Sequence, residues 1–514
     1  MKYAFLFVFW AFLETGVAFS QPSIQWQRSF GGSDSDEPTT VLQTTDGGYV
    51  VAGYSRSIDG DIFGSHGYMD AWVIKISPGG DVEWKKAYGG TDLDWIYSLK
   101  QTSDGGYVMA GQSSSNNWDV SGNQGLGDFW VVKLGETGNI QWQRSLGGSK
   151  VDFGRSIDIT PDGGYIVAGY TESTDGDVSE AFGGWDYWVV KLDEGGVIQW
   201  QRSYGGSGND LCRSISATMD GGYIVGGESR SENGDIANPK GGKDYWVLKL
   251  NFEGKILWEK SLGGTSSDVG VDILEAREGG YVAFGHAHSI NGDISNPRGM
   301  FDYWVVRLDE EGEIVWEKSL GGSENEYTGD ITQTQDSGFV LLGLTQSTNG
   351  DVVGNDGAAD MWLVKITGDG DLEWQKALGG SKTDYGQAIQ QTTDGGYIAA
   401  GYSLSNDGDV AQNKGLNDFW IVKLSKETTP TRELPAQTLQ IYPNPANETI
   451  HLQIPNSNPE PLEITLFGPA GQEMRRFSAQ SSAGVDVSSL PVGVYSVRAQ
   501  TLEGVVYLGR FTKS

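Results

Sequence analysis

An all-β chain of repeated, radially arranged sheets is predicted by three features of the sequence. First, tryptophan recurs every 58 residues, at Trp26, Trp84, Trp142, Trp200, Trp258, Trp316 and Trp374. A second series, Trp72, Trp130, Trp188, Trp246, Trp304, Trp362 and Trp420, follows the first at a fixed offset of 46. Seven units without slippage are one supersecondary element copied seven times. Second, each unit holds four short β-prone runs separated by Gly/Asp clusters. Third, the repeat is permuted: after the leader the chain starts with a fourth run (Ile24-Gln25-Trp26-Gln27-Arg28) and ends its repeats with a third (Asp418-Phe419-Trp420-Ile421-Val422-Lys423). One sheet would then be completed from both ends of the sequence, removing two open edges. Four-stranded units of this kind make a β-propeller, here a seven-bladed one. The competing parallel solenoid usually has shorter coils and rarely four antiparallel runs.

The third unit shows how each run arises. Ser156-Ile157-Asp158-Ile159-Thr160 leads into Asp162-Gly163-Gly164-Tyr165, a tight hairpin in which Gly supplies positive φ at little cost. Ile166-Val167-Ala168-Gly169-Tyr170 is the second run. A long loop with Asp175-Gly176-Asp177 precedes the third, Asp186-Tyr187-Trp188-Val189-Val190-Lys191-Leu192, and Gly196 turns the chain into Ile198-Gln199-Trp200-Gln201-Arg202.

The chain has 514 residues, 76 of them Gly, and a net charge of -32. Such acidity argues against nucleic acid or anionic lipid as partners, which require Lys/Arg surfaces. Lys2, an apolar run to Leu13 and the small residues before Gln21 read as a secretory signal peptide over 1–20. No later stretch is long and apolar enough to be a transmembrane segment. Cys212 is the single cysteine, so no internal disulfide is available. The expected product is a secreted monomer.

The repeats occupy 21–424, a Thr/Pro/Glu-rich linker 425–437, and a non-repeating β domain 438–514. That last region carries Tyr442-Pro443-Asn444-Pro445, the strand Ile464-Thr465-Leu466-Phe467 before Gly471, then Asp486, Leu490-Pro491, Gly493 and Tyr495, and a basic Lys513 near its end. It resembles the type A sorting domain of the type IX secretion system. The resemblance implies a small β-sandwich, a Bacteroidota-type cell, and passage through the periplasm to the outer surface by way of the type IX machinery. It also implies a cargo attached to the surface or released. Without it, the tail reads as an accessory β-sandwich.

The turn Leu308-Asp309-Glu310-Glu311-Gly312-Glu313-Ile314-Val315-Trp316 and its G-x-x-x-W equivalents resemble the tryptophan-docking repeat of quinoprotein-like propellers. The resemblance implies blade packing and no quinone: the vicinal disulfide found under many such cofactors is impossible with one cysteine.

Strand alternation sends the links into each first run and the long second-to-third loops to one face. The former carry Asp36, Asp94, Asp152, Asp210, Asp268, Glu326 and Asp384; the latter carry D-G-D or N-G-D. Two readings stand. Asp and Asn cap turns by accepting backbone N–H bonds, with the repeated Lys75, Lys133, Lys191, Lys249, Arg307, Lys365 and Lys423 as partners of the first acidic column. Alternatively Asp59, Asp61, Asp175, Asp177, Asp407 and Asp409 give hard oxygen ligands to calcium, although the full D-x-D-x-D-G ladder is missing. No other cofactor is expected.

Departures from the repeat are the candidates for ligand contact. Trp118 replaces the loop Gly of the other six units, and Trp185 lies in a variable column; aromatics beside carboxylates and amides hold sugar rings. Blade packing is the alternative for both. His286 and His288 share one strand face, but no third metal ligand is evident. Four histidines and one cysteine provide no Ser/His/Asp or Cys-based arrangement. The sequence therefore predicts a non-catalytic surface or secreted protein binding glycan, another surface polymer or a protein on the acidic long-loop face. A polysaccharide-active hydrolase or lyase on that face and a purely structural ring are the alternatives.

Overall fold

The computed structural model describes residues 21–427, 437–453, 461–468, 473–480, 484–501 and 506–514. The expected signal peptide, most of the linker and Gly471 lie outside the described residues. The chain divides between Thr428 and Thr429 into two compact units. Every regular element among the described residues is a strand.

The larger unit contains seven four-stranded antiparallel sheets, a propeller-like repeat. Strand β1 (Ile24–Phe30) precedes the first complete sheet, made of β2 (Asp36–Gln43), β3 (Tyr49–Ser55), β4 (Asp70–Ile76) and β5 (Val82–Tyr88) in sequence order. Strand β1 itself pairs with Asp418–Leu424, Arg28 opposite Ile421 and Phe30 opposite Phe419, and so completes the last sheet. Outside the strand, Ser425 N donates to Ser23 O at 2.8 Å. The first strands of neighbouring sheets lie against one another, and β2 also lies against Asp384–Gln391, the first strand of the last sheet.

Local chemistry explains each element. The D-G-G-Y hairpin closes because Asp46 Oδ1 accepts from Gly48 N (2.9 Å) and Thr44 Oγ1, while Gly47 takes φ 83°. The third strands are buried along their whole length except at Arg307, and they enclose Trp72, Trp130, Trp188, Trp246, Trp304, Trp362 and Trp420. Truncating one such indole costs about 3–5 kcal/mol. The other tryptophan series locks sheet to sheet. Trp26 lies against Gly80 and donates to Pro78 O (3.1 Å); Trp258 and Trp316 do the same to Glu310 O and Gly368 O. Any Cβ at these glycines would strike the indole, near 3 Å, so the turn must stay bare. Trp374 meets Glu427 Oε1 (2.9 Å) instead, just past the final repeated strand.

The smaller unit consists of a five-stranded and a three-stranded sheet. Ile450, Leu452 and Val485 from one sheet and Leu462, Ile464, Val497 and Phe511 from the other share a single apolar core.

One expectation is corrected. The repeated Lys column does not serve the acids at the start of each first strand. Lys75, Lys133, Lys191, Lys249, Lys365 and Lys423 bond the hairpin acids Asp46, Asp104, Asp162, Asp220, Asp336 and Asp394 at 2.8–3.1 Å. Asp36 is instead held by Ser55 Oγ, Ser57 Oγ (2.8 Å) and Gly32 N (2.8 Å). Side chains at the two ends of a strand point to separate turns, so the hairpin carboxylate is the one the lysine can reach.

Candidate functional site

Each first strand carries a β-bulge at the same place. Its pairing skips one residue, between Pro38 and Thr40 in β2 and between Gly154 and Ser156 in the third sheet. A bulge leaves one residue unpaired and re-aims its side chain. The skipped residues are Thr39, Tyr97, Arg155, Arg213, Val271, Gly329 and Gln387, and all seven line one cavity of about 760 Å³. The first strands thus form the cavity wall. While the Trp, Gly and Asp columns repeat, this column holds six residue types in seven positions.

The next residue along ties neighbouring sheets together. Ser98 Oγ accepts from Ile157 N (3.3 Å), Ser156 Oγ from Ile215 N (3.2 Å), and Asp330 Oδ2 from Ile389 N (2.7 Å). Asp272 takes Ser214 Oγ and Ile273 N (2.8 Å) and shares a hydrogen bond with Asp330. Burial, then the charge of Asp272, pushes the Asp330 carboxyl well above the usual range.

The charge on the wall is uneven. Arg155 is half-buried, its guanidinium 3.9 Å from the Tyr97 ring centroid, and burial lowers its pKa. Arg213 reaches Glu228 at 3.5 Å, but Glu228 is also held by Lys243 at 3.1 Å, and Arg213 Nε has no partner. His286, also on the wall, bonds Thr328 Oγ1 through Nδ1 (2.9 Å); burial pushes its pKa down to about 4. His288 is exposed and lies against Phe301. Among the described residues no three His, Cys, Asp or Glu side chains form a group that could hold a metal ion.

The D-G-D carboxylates sit in turns. Asp59 Oδ1, Asp175 Oδ1 and Asp407 Oδ1 each accept from a backbone N–H (Ser33, Ser149, Ser381) at 2.7 Å. Asp177 and Asp409 accept from Gly147 N and Gly379 N, and Asp61 pairs with Lys85 (3.0 Å) and Lys414. These bonds join the long loop to the link into the same sheet. Trp118 is 70% exposed, at φ 58° where the other units place glycine, and stacks on His66 at 4.5 Å. Trp185 is only half-buried and packs edge-on against Tyr170 (5.1 Å) and Phe153 (6.1 Å). The two tryptophans therefore occupy different surroundings.

A further feature repeats: Asp70, Asp128, Asp186, Asp244, Asp360 and Asp418 are buried, each with Oδ1 unpartnered. Burial, with the charge of Asp152 and Asp177 adding to it, pushes Asp128 up to about 7; burial likewise raises Asp186, Asp360 and Asp418 to about 6. Groups whose pKa rises on folding stabilise fully below the unfolded value of 3.8, and that contribution is lost as pH climbs through 6–7. The hairpin acids Asp46, Asp104, Asp162 and Asp220 oppose this. Hydrogen bonds from Lys and Thr overcome desolvation and hold them at about 2, so their contribution is present above 3.8 and lost towards pH 2. Stability is expected to peak at about pH 4. Asp128→Asn should raise the melting temperature at pH 8 and leave it unchanged at pH 4; a larger gain at pH 4 would contradict the burial argument.

In the smaller unit the motif residues hold the sandwich together. Tyr495 donates to Pro491 O (2.7 Å) and stacks on Phe511 at 5.4 Å; Leu490 packs on the core. Asn444 bonds Arg510 O (3.2 Å) and Thr512 N (2.9 Å), Asp486 accepts from Ser488 N (2.9 Å), and Lys513 reaches Ser514 O (2.8 Å). Tyr442 stays exposed.

Comparison with known proteins agrees with this division. A stretch of the regulatory protein FlaEY of Caulobacter vibrioides is 26% identical over 218 residues, covering 38% of this chain but 23% of that protein. The extracellular domain of the putative hybrid two-component system BT4673 from B. thetaiotaomicron covers 95% of this chain and 60% of its own, at 11% identity and TM-score 0.41. A puromycin hydrolase covers 91% and 59%, at 10% identity and the same score. At such scores neither structure bears on the site. No helix among the described residues is long and apolar enough to cross a membrane. Residues 440–508 match the secretion system C-terminal sorting domain, so the chain carries a type IX sorting tail and is exported to the cell surface or beyond.

Proposed function

We propose that this is a non-catalytic ligand-binding protein of the cell surface or medium, built as a closed seven-bladed propeller whose ligand sits in the central channel. Support for closure comes from β1 in the last sheet and from β2 against that sheet's first strand, with Gln43 N bonded to Gln390 Oε1 (2.6 Å). The observation carrying the binding site is the bulge column. Residues that differ in type from blade to blade are all aimed into one cavity. A scaffold alone would keep this column as uniform as its tryptophans. Glycan or another surface polymer remains the ligand class. Tyr54, Tyr97 and Tyr385 line the wall, and aromatic side chains suit sugar rings.

The test is a carbohydrate-binding screen of the exported chain, with calcium and with chelator. Tyr97→Ala is expected to abolish binding and Trp118→Ala to leave it intact. The reverse pattern returns the site to the long-loop face, and loss with chelator brings in the D-G-D loops. A second reading, a polysaccharide-active hydrolase or lyase, is favoured only by the close Asp272–Asp330 carboxyl pair on the cavity wall. Shortened product in the same incubations, lost in Asp330→Asn, would support it.

A further inference from the structure

We propose that the channel recognises a carboxylate-bearing sugar, a uronic-acid-type unit, with Arg155 and Arg213 receiving the carboxylate. This deepens the channel reading and rests on it. In a chain of net charge -32, two arginines on adjacent first strands form a positive stretch of wall. Arg155 lies on the Tyr97 ring, and no carboxylate of the described residues pairs with it. Arg213 divides one carboxylate, Glu228, with Lys243 and leaves its Nε unsatisfied. Both side chains are half-buried on the cavity wall, and a planar carboxylate would meet the paired N–H donors of a guanidinium in bidentate geometry. The bulge supplies the aim, because each arginine is the residue left out of the pairing with the second strand, and both reach the same cavity.

The rest of the wall selects among anions. Further round, the carboxyl groups of Asp272 and Asp330 lie together on the wall, where a second negative charge on the ligand would find no guanidinium to meet it. Their oxygens, with Gln387 and Thr328, suit neutral hydroxyl groups. One negative charge at one end and hydroxyls at the other describes a uronic acid.

The test is calorimetric titration of the full exported chain with trigalacturonic acid, triguluronic acid, galactotriose, free galacturonic acid and inorganic phosphate. At least one of the uronate trimers is expected to bind, weakening with salt, and galactotriose and phosphate are not. Arg155→Gln and Arg213→Gln should each lower affinity at least about tenfold, while Arg155→Lys, which keeps the charge but not the fork, should recover part of it. Equal melting temperatures separate these effects from misfolding. Binding of free galacturonic acid as tight as that of a trimer identifies a small-molecule site; tighter trimer binding identifies a polymer site. Galactotriose binding that Tyr97→Ala removes and Arg155→Gln does not would leave the channel reading standing and overturn the carboxylate. Phosphate binding stronger than uronate binding, or binding of no uronate, also overturns it. Uronate binding indifferent to all four variants overturns both readings.

Discussion

Removing Gln21–Phe30 is expected to destabilise the repeat unit by more than about 5 kcal/mol, enough to unfold it in mild denaturant. The segment contributes two large side chains. Phe30 is buried, and Trp26 packs with it in the core that also contains Trp72 and Phe419. Gln27 Oε1 accepts from the Trp420 indole (2.7 Å), and Arg28 Nε donates to Gly80 O (3.1 Å) in the neighbouring sheet. Loss of the strand also bares Asp418–Leu424, which is buried along its length, as an apolar open edge. Urea unfolding of the truncated and intact chains measures the effect. A synthetic peptide spanning Gln21–Phe30, added in trans, should restore part of the midpoint and suppress aggregation. An unchanged midpoint in the truncated protein would falsify closure by the N-terminal strand.

Deleting residues 438–514 is expected to stop export altogether, leaving the repeat unit in the periplasm. The sorting domain matches its family over 440–508 and has its own apolar core, so its removal takes away a folded signal. Tyr495→Ala should act like the deletion, because that ring is buried and stacked on Phe511, and truncating a buried aromatic costs about 3–5 kcal/mol in a domain with only one small core. Tyr442→Ala removes an exposed ring at little cost to folding. Fractionation and immunoblotting then separate two contributions. Lost export in Tyr442→Ala with a folded tail marks Tyr442 as part of the recognised surface; normal export assigns the motif's weight to folding. Undiminished export of the deletion variant would remove the sorting role.

The sequence by itself determined the strand count per unit, the D-G-G-Y hairpins, the two tryptophan series and the β1 permutation. These are legible because each depends on local chemistry repeated at fixed spacing: positive φ at Gly47, a bare turn at Gly80 beneath Trp26, burial of every third strand. The sorting tail was legible for the same reason, as motifs in order. The cavity lined by the bulges was not. Its signal was present as a column that runs Thr39, Tyr97, Arg155, Arg213, Val271, Gly329, Gln387, yet strict alternation assigns no special direction to it. Only the bulge, a property of pairing between strands, turns those side chains inward. Tertiary structure likewise decided that Lys75 meets Asp46 and not Asp36, that Trp118 remains open while Trp185 packs on Tyr170, and that Asp61 is claimed by Lys85 and Lys414. In each case the deciding partner lies outside the local run, where spacing along the chain carries no distance information.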